Sequence, residues 1–133
     1  MNLEYSLFFM YLCIASTQRG EHHLFLFGVD FVKEYSDNCF TLLEAIDNFF
    51  KKEEIQKESI KGIAVVVGVG TFSSVRIATT LANAWHFANS TPVKAIALED
   101  VSELQLIAKE MNQDSAYILP TYSGEPNIGK KKE

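Results

Sequence analysis

The run Leu7-Phe8-Phe9-Met10-Tyr11-Leu12-Cys13-Ile14-Ala15 sets nine apolar residues in a row with no alternation. A strand with one face in water carries a polar residue at every second position, so this run predicts a strand covered on both faces. It is too short to cross a bilayer, which takes about 20 apolar residues, and Glu4 precedes it where a secretory leader carries Lys or Arg. A buried strand is therefore the reading, and a leader, with Ala15-Ser16-Thr17 after the run, the minor alternative. A second run, Ile63-Ala64-Val65-Val66-Val67, is rich in β-branched residues and bounded by Gly62 and Gly68, as expected of a central strand. Two strands buried on both faces need cover above and below one sheet. The expectation is an α/β fold, a mixed sheet with flanking helices.

At 133 residues the chain falls just under the ~150 typical of one domain. A single domain over residues 1–119 is expected, followed by a flexible tail, 120–133, that contains Pro, Gly and Lys. With 47% apolar and 22% charged residues it carries enough core-forming side chains to fold without disulfides or metals. Twelve basic against seventeen acidic residues give a net charge of -5, and the only basic cluster is Lys130-Lys131-Lys132. Direct binding to nucleic acid is therefore not expected. Cys13 and Cys39 match no CxxC pair or zinc spacing and read as reduced thiols of a cytoplasmic protein, with no membrane association.

Along the chain, the first strand spans 5–15. His22 to Phe27 and Phe31 to Tyr35 form a hairpin about Gly28-Val29-Asp30. Cys39, Leu42, Leu43, Ile46, Phe49 and Phe50 recur at three- and four-residue steps, which predicts a helix over 36–52 capped by Ser36 or Asp37. Lys51 to Lys61 is mostly charged and reads as a solvated connection. After the second buried strand, Val75, Ala78, Leu81, Ala82, Trp85 and Ala88 predict a helix over 73–89, ended by Pro92. Val93 to Leu98 reads as a strand, and Asp100 with Glu103 as the capping start of a last helix through Met111. The later strands are then parallel, joined by crossovers.

The turn Gly68-Val69-Gly70-Thr71-Phe72-Ser73-Ser74 joins a buried strand to a helix, where a phosphate could meet backbone amides and the positive helix end. No Lys follows the second glycine, as a Walker loop requires, and Ser73 stands where a dinucleotide fingerprint needs its third glycine. A tight turn built from small residues is the simpler reading, with a small nucleotide-binding or phosphotransfer enzyme as the alternative. Ser73 and Ser74 lie in no nucleophile elbow, and capping accounts for their hydroxyls. His22 and His23, adjacent on a strand, point to opposite faces and cannot share an ion; His86 stands alone, so no metal site is expected. Arg76, in the first turn of its helix, wants an acidic partner. Both long helices are too apolar for ordinary surface helices. Phe40, Leu43, Phe49 and Phe50 on the first, with Ile77, Leu81 and Trp85 on the second, are the candidate docking residues, and Phe49, Phe50 and Trp85 the expected anchors.

The stretch Gly68-Val69-Gly70-Thr71-Phe72-Ser73-Ser74-Val75-Arg76-Ile77-Ala78 resembles the G-P-G-S-F-T-G-L-R-I-G signature of the TsaB/YeaZ family. Val69, Ser74 and Ala78 depart from the family proline and glycines. The preceding strand, hairpin and helix are similar to the family order, while most of the family's second lobe is missing. The resemblance implies an actin-like, ribonuclease H-like lobe and a non-catalytic subunit that supports a TsaD-type transferase in threonylcarbamoyladenosine modification of tRNA. It implies docking through the 36–52 and 73–89 helices, to TsaD or to a second copy. It also places Ala15, in Ile14-Ala15-Ser16-Thr17, where the fold's phosphate-binding strand usually carries an Asp, so no ATP turnover and no cofactor are expected.

Overall fold

The computed structural model describes residues 9–18, 20–39 and 41–111. The expected 120–133 tail and the first residues of the expected N-terminal strand lie outside them. Five strands form one sheet: β1 (Met10–Gln18), β2 (Glu21–Gly28), β3 (Phe31–Asp37), β4 (Ile60–Val66) and β5 (Val93–Ile96). Their order is β3-β2-β1-β4-β5. β1 pairs antiparallel with β2 and parallel with β4, while β2–β3 is antiparallel and β4–β5 parallel. This is the expected mixed α/β sheet, and β1 and β4 occupy its interior as their unalternating sequences require.

The pleat sends Met10, Leu12 and Ile14 of β1 to one face and Tyr11, Cys13 and Ala15 to the other, all buried. The first face is covered by α1 (Leu42–Glu53) and α2 (Phe72–Asn89). Leu42, Ala45, Ile46, Phe49 and Phe50 of α1 meet Leu24 and Leu26, and Ala78 and Ala82 of α2 join the same cluster. The second face is covered by a 3₁₀ segment (Leu98–Glu103) and the short α3 (Leu104–Ala108), which bring Leu104, Ile107, Ala108 and Met111 onto Tyr11, Phe27 and Val66.

Four local expectations need correction. The first long helix begins at Leu42, not residue 36, because Ser36 and Asp37 are claimed by the ladder opposite His23 and His22. Its cap is consequently Thr41, whose hydroxyl accepts the Glu44 amide at 3.0 Å, not Ser36 or Asp37. The helix ends at Glu54, in the left-handed region at φ 58°, whose amide donates to the Lys51 carbonyl. The last strand is shorter than its apolar run, for Leu98 already belongs to the 3₁₀ turn. The Asp100 carboxylate accepts the Ala97 amide at 2.9 Å and so opens that turn rather than an α-helix; Glu103 makes no side-chain cap to α3.

Candidate functional site

The motif turn follows β4. Gly68 and Gly70 have φ of 89° and 110°, the region an L side chain enters only with strain, so two glycines are what lets the chain leave the sheet and start a helix within five residues. Thr71 then caps α2. Its hydroxyl accepts the Ser74 amide at 3.3 Å and its carbonyl the Val75 amide at 3.1 Å. The cap is thus Thr71, not the Ser73 and Ser74 hydroxyls. Phe72 is the first residue of α2, with its side chain outside the described atoms. Ser73 and Arg76 are exposed, and Ser74 is buried. The Arg76 carbonyl accepts the Thr79 hydroxyl.

The docking candidates separate into three groups. Leu43 and Ile77 are each 56% exposed at the N-terminal halves of α1 and α2. Leu81 and Trp85 are half-buried against the core. Trp85 sits edge-on to Phe50, centroids 6.5 Å apart, and lines an open groove of about 580 Å3 with Lys57, Lys61 and Asn89. Phe49 and Phe50 correct the expectation of aromatic anchors on α1: they are 0% and 5% exposed. Phe49 stacks on Tyr35 at 4.7 Å, the rings 5° from parallel, so its aromatic bulk is spent within the chain. Phe40 lies outside the described residues. Phe87, 79% exposed, adds apolar surface at the far end of α2.

Where the first strand ends, Ala15 is buried on the second face and Ser16, on the first, bonds His22 Nδ1 at 2.8 Å. His23 faces the other way and meets the Ser36 hydroxyl at 3.0 Å, as the pleat requires of neighbours. Burial pushes the Cys13 thiol up to about 12, which keeps it protonated and unreactive. Near the start of α1, Asp37 accepts from Tyr35 Oη at 2.8 Å and from Asn48 Nδ2 at 3.1 Å. The Asn48 amide first, then the Tyr35 hydroxyl, hold its carboxyl below the usual carboxylate range. Burial, and then this same bond, push the Tyr35 phenol up to about 12. Among the described residues no three His, Cys, Asp or Glu converge as metal ligands, and no helix is long and apolar enough to cross a membrane.

No protein-family model matches the chain, and no curated protein does. Solved structures do match, among them YeaZ from Pseudomonas aeruginosa and an uncharacterized protein from the same organism with similarity to peptidase YeaZ. Each superposes with a TM-score of 0.57 at 19% identity, over 66% of this chain and 43% of the other. Over the matched part this chain shares the fold of YeaZ, and it spans less than half the length of the YeaZ structures it matches.

Proposed function

We propose that the chain is a YeaZ-like scaffold subunit whose α1–α2 face packs against a TsaD-type transferase, or against a second copy, so that threonylcarbamoyl transfer to tRNA is performed by the partner. One observation carries this reading: two long helices lie side by side on one sheet face, and each leaves a large aliphatic residue, Leu43 and Ile77, more than half in water. Leu81 and Trp85, half-buried beside them, extend the apolar surface inward. Such paired exposure on one face is what a protein interface uses, and burying about 1,200–2,000 Å2 in total makes a specific one. The fold shared with YeaZ supports the choice of partner. Ala15 supports a non-catalytic role, since a buried methyl group stands where the fold's nucleotide-organising acid is expected.

Mixing the chain with a TsaD-type subunit and measuring mass by light scattering tests this. A defined heteromer, or a homodimer of the chain alone, is expected. Leu43→Glu with Ile77→Glu, both at exposed positions, is expected to weaken either complex at least a hundredfold while circular dichroism is unchanged. A wild-type chain that remains monomeric both alone and beside the TsaD-type subunit overturns the proposal. Tight binding of ATP and magnesium to the lone chain, by calorimetry, moves the assignment to the enzyme alternative.

A further inference from the structure

A cavity of about 330 Å3 opens between the N-termini of α1 and α2, at the end of the sheet where β1 turns into β2. This volume lies at the lower end of small-molecule sites, roughly 300–1,000 Å3. Its polar lining comes from Ser16, His22, Thr41, Ser73 and Ser74, and its apolar walls from Leu42, Leu43, Ile77 and Leu81. Among the described residues no Asp, Glu, Lys or Arg lines it. His22 is 6% exposed, with Nδ1 committed to the Ser16 hydroxyl and Nε2 buried with no hydrogen-bond partner among the described residues. Buried polar atoms are nearly always paired, so an unpaired one on a side chain that lines a cavity marks a place where a ligand atom would be received.

We propose that this cavity binds a small monoanion with an apolar body, such as an aliphatic carboxylate, with His22 as its recognition residue. When the Ser16 hydroxyl donates to Nδ1, the imidazole proton sits on Nε2, which then donates to a carboxylate oxygen. The helix ends add to this. Thr41 takes up the amide of Glu44 and Thr71 that of Ser74, while a helix start exposes four amides, and both dipoles present their positive ends. A single negative charge is thereby favoured. A polyphosphate is less favoured, because among the described residues no cation lines the walls to neutralise it. The four aliphatic side chains take the hydrocarbon part out of water. Nothing in this site depends on a partner subunit, and the lone chain suffices to test it.

The probes are hexanoate, hexan-1-ol and hexylamine, titrated into the full chain with 15N-labelled histidine and 13C-labelled isoleucine methyl groups. Hexanoate is expected to shift the His22 Nε2 and Ile77 methyl signals saturably, hexan-1-ol to bind at least tenfold more weakly, and hexylamine not to compete. His22→Phe is expected to weaken hexanoate at least tenfold. Because His22 is buried and its replacement risks the fold, Ser73→Asp provides a second variant. Ser73 is exposed in the first turn of α2, where an acid favours the helix while repelling an anion in the cavity. It is expected to keep the melting temperature and lose at least tenfold in hexanoate affinity. Absence of a saturable His22 shift, hexylamine binding as tightly as hexanoate, or undiminished binding to Ser73→Asp overturns the proposal.

Discussion

The two faces of the sheet are built from alternate residues of the same strands, yet they are covered very differently. On the first, helices of 12 and 18 residues bring three aromatic rings, Phe49, Phe50 and Trp85, onto the strands and seal them. On the second, a five-residue helix and its 3₁₀ lead-in do the covering, and Val32, Leu98 and Leu106 stay 46–53% exposed around it. The difference teaches where stability resides. A fully buried aromatic gains both its area removed from water and its ring contacts, whereas a thin cover can relax inward when an atom is lost. The first face is the sealed side of the sheet, from which α1 and α2 present Leu43 and Ile77.

That contrast can be broken most directly with Phe49→Ala. Removing a side chain at 0% exposure and its stack on Tyr35 is expected to cost about 3–5 kcal/mol in urea unfolding. Ile107→Ala on the second face is expected to cost about 2 kcal/mol, the lower end for such truncations; equal costs for the two would abolish the contrast. Gly68→Ala meets no atom within 4 Å but holds φ at 89°, so strain alone is expected, about 1–2 kcal/mol by the same measurement. Thr41→Ala removes the α1 cap and is expected to cost about 1 kcal/mol.

The smallest effect sharpens the first-face side through pH. The Asp37 carboxyl, held by Asn48 and Tyr35, titrates below its ordinary value in the folded chain. Its stabilising contribution is therefore fully present above that ordinary value and lost as pH falls through the folded one. The stability difference between the wild type and Asp37→Asn is expected to shrink in that acid window and to stay constant above it. A difference that grows on acidification contradicts the hydrogen-bond assignment.

Much of the architecture was legible from local pattern. The unalternating runs placed β1 and β4 inside the sheet, the Gly-containing turn placed the start of α2 within one residue, and the opposite facing of His22 and His23 followed from the strand repeat. The resemblance to TsaB/YeaZ carried the fold, and the match over less than half of the YeaZ length fits the missing second lobe. The start of α1 was misread because Ser36 and Asp37 suit a cap and a strand end equally well; only their ladder partners on β2 decide between them. The cavity was not legible at all. Ser16, His22, Thr41 and Ser73 are scattered along the chain, and no spacing rule joins them.

By itself, the sequence determined the α/β class, the two doubly buried strands and the turn that needs glycine, since each depends on side-chain alternation or backbone dihedrals over a few residues. Tertiary structure alone decided which apolar residues of the helices are core and which are surface. Helical periodicity fixes the angle between Phe49 and Leu43 around α1. How wide an arc is buried depends on what lies opposite, and there Tyr35 and Trp85 close over the phenylalanines while nothing among the described residues of the chain covers Leu43 or Ile77 completely.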